Sequence, residues 1–236
     1  MNEIMRLSGR SGLEMAMNSK PAILSFLNMY SVYLFKKEPL FRKSISNDYN
    51  LNFIDGFFPS LYLSLVNFRK VSRTRGPTFT RKFLENKGFN KKILFVGNST
   101  EEDLDFISKK FKINRAKLFS YNSLPYIAPK VEFLKRDIDK LVNYIKSKKP
   151  DFVFVWVGNP RQEILSDQLF KRYKTTYFNV GAAVDFVLEK KPESPAFFGR
   201  IGLEWLYRLL TDFKYSRKKV EDSFKGLFYL RKVKLR

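Results

Sequence analysis

Apolar residues recur along this chain in two alternating rhythms. Short solid runs are AILSFLN (Ala22–Asn28), LNFID (Leu51–Asp55), ILFVG (Ile93–Gly97), KLFSY (Lys117–Tyr121), DFVFVWVG (Asp151–Gly158) and TTYFNVG (Thr175–Gly181). Runs of this length predict strands, and apolar character on both faces, clearest in DFVFVWVG, is the mark of a parallel sheet. Between them lie stretches with helical spacing. RDIDKLVNYIKSKK (Arg136–Lys149) sets Ile138, Leu141, Tyr144 and Ile145 on one face. NSTEEDLDFISKKF predicts a helix capped by Ser99, with Glu102 at capping-box spacing and acids in the first turn, where the helix dipole favours them. Pro160 predicts a helix start running to about Tyr173. Strand–helix alternation argues an α/β fold, with a Rossmann-like, mainly parallel sheet and flanking helices.

After Pro195 the rhythm changes. AFFGRIGLEWLYRLLTDF and SRKKVEDSFKGLFYLRKVKLR read as helical, with no further strand. The expected organisation is an α/β domain over 1–195 and a basic helical appendage over 196–236. From Lys190 to Arg236 thirteen cations face five acids, which makes the appendage unusually basic. The whole chain of 236 residues carries a net charge of +22 and therefore predicts an anionic partner. Nucleic acid, an acidic membrane surface and a phosphorylated substrate all satisfy that charge.

Cysteine and histidine are both absent. Disulfides, zinc sites built on those residues and a histidine base are excluded, so acid–base work falls to Asp, Glu, Lys or Tyr. The N-terminal stretch lacks the apolar core of a signal peptide, and no apolar run approaches the ~20 residues of a membrane-spanning helix. The expected location is the cytoplasm, which leaves a peripheral seat on the inner face of the cell membrane open.

Ligands in open parallel sheets bind outside the carboxyl ends of strands. Three such ends carry candidate chemistry. In NFIDGFF, Asp55 before Gly56 is either a general base at a crevice or a plain Asp-Gly turn. In WVGNPRQE, Gly158 permits close backbone approach, Pro160 sets the helix start and Gln162 can donate and accept hydrogen bonds; an ordinary strand–helix turn reads the same way. In NVGAAVDF, Gly181 opens a helix whose amides can face a nucleotide, while Asp185 is as well explained by local pairing. A basic cluster, FRKVSRTRGPTFTRK, includes Arg73 and is either a solvated loop or a source of positive potential near a phosphate. Asp103–Asp105 and Asp137–Asp139 have the Asp-x-Asp spacing of some metal sites, but both fall inside amphipathic helices, where alternating acids do not face one site.

Together these pieces resemble the WecG/TagA/CpsF glycosyltransferase family (glycosyltransferase family 26), from about Asn28 to Lys219. Gly158, Pro160, Gln162 and Glu163 meet its G-x-P-x-Q-E pattern. Val180, Gly181, Asp185 and Phe186 meet V-G-x-x-x-D-F, Gly202–Leu210 meets G-L-E-W-L-Y-R-L-L, and Asp55-Gly56 meets its Asp-Gly. The resemblance implies a membrane-associated, inverting transferase that needs no metal or other cofactor. Its expected partners are a UDP-sugar donor, a polyprenyl-diphosphate-linked glycan acceptor, an anionic membrane surface and, among proteins, a second copy of the chain; nucleic acid is not expected. It points to Asp55 as base and to Asn28 and Gln162 as substrate contacts. Arg208, Lys214, Arg217 and Lys218 are the expected diphosphate clamp. The chain departs from the family at Phe26, Thr78 and Glu193-Ser194-Pro195. Two rival readings remain at this level: a non-catalytic family member that scaffolds a polysaccharide-synthesis complex, and a nucleic-acid-binding protein.

Overall fold

The computed structural model describes residues 5–7, 20–86, 90–124, 133–195, 197–198, 203–211 and 213–235. A short strand β1 (Met5–Leu7) precedes β2 (Ile23–Leu27), α1 (Met29–Lys37), α2 (Pro39–Ile45), β3 (Asn50–Ile54), α3 (Phe57–Val66) and α4 (Gly76–Leu84). Then come β4 (Ile93–Gly97), α5 (Glu101–Phe111), β5 (Leu118–Tyr121), α6 (Lys135–Lys148), β6 (Phe152–Trp156), α7 (Arg161–Phe170), β7 (Thr176–Asn179) and α8 (Ala183–Val187). The tail holds α9 (Glu204–Thr211), α10 (Phe213–Gly226), a 3-10 turn (Leu227–Lys232) and β8 (Val233–Leu235).

All six predicted strands join one sheet, in the order β3-β2-β7-β6-β4-β5, and every pairing is parallel. The period-two alternation sends side chains to two faces. One face carries Phe26, Phe53, Phe95, Phe154 and Phe178, packed with Phe79 and Phe83 of α4, Leu104 and Ile107 of α5, and Val184 and Val187 of α8. Phe83 and Phe178 meet edge to face at 4.8 Å between ring centroids. Truncating one of these rings to alanine costs about 3–5 kcal/mol. The other face carries Ile23, Leu94, Val96, Val153 and Val155 against α6 and α7, with Leu27 and Ile54 against α1, α2 and α3. The domain is therefore a three-layer α/β/α stack.

Two expectations are corrected. The cap of α5 lies one residue later than the sequence suggested: Thr100 is the N-cap, and Asp103 completes the capping box. Ser99 is instead buried just before it. The tail also ends in a strand: β8 pairs in parallel with β1, with Met5 opposite Val233 and Leu7 opposite Leu235. Three residues of V-K-L give too little alternation to stand out from a basic run, and the partner lies at the far end of the sequence. The expectation that the N-terminal stretch is no signal peptide falls, apart from β1, outside the described residues.

The tail packs on the α/β layers. Helix α10 lies against α1, and a Cβ added to Gly226 would fall 2.5 Å from the Met29 carbonyl oxygen. Only glycine allows this approach. Tyr229, Leu230 and Val233 then join the apolar cluster of Met5, Leu7, Leu27 and Val32.

Candidate active site

The register of the sheet gathers the sequence candidates. Leu27 pairs with Ile54, so Asn28 and Asp55 leave neighbouring strands side by side, and the Asp55 N–H extends the ladder to the Leu27 carbonyl (3.0 Å). Gly56 packs on Asn28: a Cβ there would sit 3.2 Å from the Asn28 Cα. Asn28 caps α1, its Oδ1 accepting from the Ser31 N–H (3.3 Å), with Ser31 completing a capping box. Ser31 Oγ in turn accepts from Asn159 Nδ2 (2.9 Å), tying the end of β2 to the turn after β6. On the other side, a Cβ on Gly181, whose φ is +50°, would lie 3.3 Å from Gln162 Oε1. The ends of β3, β2, β6 and β7 are thus linked, and Asn28, Asp55, Gly56, Gly158, Pro160, Gln162 and Gly181 share one rim. A Cβ on Gly158 would meet open space, leaving room for a ligand beside the backbone.

The turn after β6 is polar and dry. Gln162 and Glu163 open α7 and are 4% and 1% exposed. Gln162 Nε2 donates to the Asn179 carbonyl (3.3 Å) and to Glu163 Oε1 (2.8 Å). A carbonyl can only accept, so the amide orientation is fixed and Oε1 is left as the acceptor beside Gly181. Beneath it, Ser166 Oγ donates to Asn179 Oδ1 (2.5 Å), and Asn179 Nδ2 donates to Ser25 Oγ (2.8 Å). Burial pushes the Glu163 carboxyl up to about 7, against the lowering effect of its hydrogen bonds from Gln162 and from its own backbone N–H. Asn159 Oδ1, Gln162 Oε1 and Glu163 Oε2 are buried without a hydrogen-bond partner among the described residues. Two orphan amide oxygens and a carboxyl oxygen on one turn suit a bridging water or a polar ligand group.

The remaining candidates divide. Arg73 lies on the loop that returns to β3, where the Thr74 N–H donates to the Ile54 carbonyl (2.7 Å), and its guanidinium stacks over the Phe57 ring at 5.7 Å. Asp185 pairs locally with Lys191 (3.4 Å). Arg217 pairs with Glu221 (3.0 Å) and covers the Phe213 ring, both within α10, and Lys218 is exposed. The side chains of Arg208 and Lys214 lie outside the described residues. The Asp-x-Asp pairs have structural partners: Asp103 caps α5 and holds Lys190 (2.6 Å), Asp105 pairs with Arg115 (2.6 Å) and Asp139 with Arg172. Asp137 is buried at the start of α6. Among the described residues no cluster of three or more acids, histidines or cysteines could hold a metal ion.

Of the departures, Phe26 fills the phenylalanine layer, 4.8 Å from the Phe79 ring, and Glu193 pairs with Arg81. Sequence reasoning missed Ser31, Asn159 and Asn179. An Asn-Pro pair reads as a turn, and Asn179 sits inside an apolar strand, where one polar residue at the end next to the crevice was the available signal.

A six-stranded, wholly parallel sheet with helices on both faces, and with Asn28, Asp55, Gly158 and Gly181 following four adjoining strand ends, defines an α/β protein of the Rossmann-like class. Within that class the chain belongs to the glycosyl transferase WecG/TagA/CpsF family, whose profile matches residues 9–235. Over 85 residues it is 31% identical to the N-acetylglucosaminyldiphosphoundecaprenol N-acetyl-beta-D-mannosaminyltransferase of Staphylococcus aureus strain NCTC 8325 / PS 47, and 28% identical to that of strain MRSA252. The matched stretch is 35% of this chain and spans only 33% of each relative's length.

Proposed function

We propose that this chain is an inverting, metal-independent glycosyltransferase. It moves a sugar of the N-acetylmannosamine type, or a related hexose, from a UDP-sugar to a polyprenyl-diphosphate-linked sugar. The product feeds a cell-surface polymer such as teichoic acid, and the enzyme works peripherally on the cytoplasmic face of the membrane. The observation that carries this reading is the shared rim of Asp55, Asn28, Gly158, Gln162 and Gly181. An acid, a set of fixed acceptors and the open space beside Gly158 meet there at the carboxyl ends of the strands.

In this reading Asp55 takes the proton from the acceptor hydroxyl as its oxygen attacks the anomeric carbon. The bond from that carbon to the phosphate oxygen breaks, and UDP leaves with the electron pair. Helix N-terminal amides and the basic residues Arg73, Arg208, Lys214, Arg217 and Lys218 meet the charge on the diphosphates. Gln162 and Asn159 offer acceptor oxygens to sugar or nucleoside donors. The basic tail adds attraction to an anionic leaflet, about 1 kcal/mol for each Lys or Arg near the surface.

A panel of UDP-sugars with a short-chain diphosphate-linked acceptor, with and without EDTA, tests the reading. Transfer from one donor with inversion at the anomeric carbon, unchanged by EDTA, is the expected result. Loss of transfer in EDTA, restored by Mg²⁺, would refute the metal-free step, and no turnover of any donor would favour the scaffold. Deleting everything after Pro195 is a poor probe, because Leu230 and Val233 would leave the core they share with Met5 and Leu7. Point substitutions in the tail are the better choice.

A further inference from the structure

Helix α3 buries Pro59, Ser60 and Leu63 and exposes the opposite stripe. Leu61, Leu65 and Phe68 follow one another at i, i+4 and i+7, with Val66 beside them. Leu65 is 65% and Phe68 97% exposed. The helix ends in a built turn. The Phe68 N–H donates to the Leu65 carbonyl (3.3 Å) and the Arg69 N–H to the Ser64 carbonyl (3.2 Å), the two bonds of a Schellman cap. In that cap the left-handed position normally belongs to glycine, yet here Phe68 holds it with φ at 49°. The chain then turns back into the core at Val71, pinned by Ser60 Oγ donating to its carbonyl (2.6 Å) and by its own N–H donating to Ser64 Oγ (3.0 Å). A bulky apolar side chain is therefore held fully in solvent on a rigid knob. The cations Arg69 and Lys70 follow it, both exposed.

We propose that this knob is a lipid-contacting surface separate from the basic tail. Leu61, Leu65, Val66 and Phe68 seat in the headgroup–acyl boundary of an anionic bilayer, with Arg69 and Lys70 at phosphate level. An apolar stripe followed by cations is the chemistry of an interfacial element, and it selects a bilayer over a second copy of a chain whose net charge is +22. Position gives the contact its purpose. The excursion leaves the sheet at Gly56, next to Asp55, and returns where Thr74 bonds Ile54. Ten helical residues set a reach of about 15 Å between the Asp55 end and the tip. Seating the tip therefore holds the proposed base close over the surface that carries a lipid-linked acceptor. That purpose rests on the transferase reading; the contact itself does not.

The test is flotation with vesicles of phosphatidylglycerol and phosphatidylcholine, and with phosphatidylcholine alone. Wild type should float with the anionic vesicles. Leu65→Glu/Phe68→Glu should lose at least about tenfold in vesicle affinity, whereas Leu210→Glu/Phe213→Glu in the tail should leave the knob's contribution in place. Phe68→Gly puts the favoured residue into the cap, so it should fold at least as well and still bind vesicles about threefold or more weakly. Vesicle binding unchanged in both knob variants would overturn the proposal. So would equal binding to neutral vesicles, or a knob variant that only dissociates a dimer in solution. Transfer to a short, water-soluble acceptor should survive in the knob variants. Its absence in wild type would sink the transferase reading and leave the vesicle result standing.

Discussion

The turns after β3 and after β6 stand at opposite ends of the same rim and are built in opposite ways. After β6, Gln162 and Glu163 are sealed in, hydrogen-bonded to each other and to the β7 backbone, with Asn159 tied to Ser31. After β3, Asp55 is half-exposed, Gly56 gives α3 no side-chain cap, and the chain runs at once into an apolar helix. One wall is dry and fixed, its acceptors held beneath the surface beside the open space at Gly158, which suits shape recognition at that backbone. The other is only partly covered and carries Asp55, the residue proposed as base. A site that recognises and reacts needs both, and in the transferase proposed above two strand ends divide the work.

The sharpest way to break this comparison is Asp55→Asn. It should lower turnover by about 10²–10⁴-fold, the range for a general base, while donor binding by calorimetry stays near wild type. Turnover near wild type in a folded variant would remove the chemical role from the open wall.

Glu163 tests the dry wall. Its carboxyl would titrate near 4.5 when exposed and titrates at about 7 in the fold. The folded state thus prefers the proton, and the stability this gives, complete below pH 4.5, is lost as pH rises through 7. Glu163→Gln keeps an acceptor for Gln162 and removes the titration. Urea unfolding at pH 4 and pH 8 should show the variant gaining about 3 kcal/mol on wild type between the two. A constant difference would mean that water reaches Glu163.

A smaller effect is expected at Asn159. Cutting its bond to Ser31 by Asn159→Ala should cost about 1 kcal/mol of stability and weaken UDP-sugar binding up to about tenfold, both read by thermal shift with and without donor. The smallest is Asp185→Asn. Its pair with Lys191 is long and the lysine is half-exposed, so melting and turnover should stay within about 0.5 kcal/mol of wild type. A tenfold loss in donor affinity there would move Asp185 from local pairing into the binding surface.

Most of the sheet was legible because its strands are apolar runs closed by turn residues, and because parallel topology sends candidate chemistry to one edge. Asp55, Gly158 and Gln162 were readable as strand-end residues, yet their neighbours in space were not, because strand order is a property of the whole sheet. Asn28 caps α1, a role its place before an apolar run could have signalled. The α5 cap fell on Thr100 because Ser and Thr sit side by side and only backbone geometry chooses between them. The docking of the tail depends on the notch at Gly226, and one glycine in a basic run gives no hint of the helix it meets.

The pairing of β1 with β8 bears on the order in which this chain is made. Met5 and Leu7 precede their partner strand in synthesis, with the whole six-stranded sheet lying between them in sequence. The six-stranded sheet can form from local strand–helix units as they appear. The clasp between β1 and β8 must wait for loop closure across almost the whole chain. Until then the apolar side chains of β1, fully buried in the finished protein, lack part of their cover and are open to chaperones and proteases. A nascent chain stalled before Val233 would therefore carry an assembled sheet and an unfastened β1.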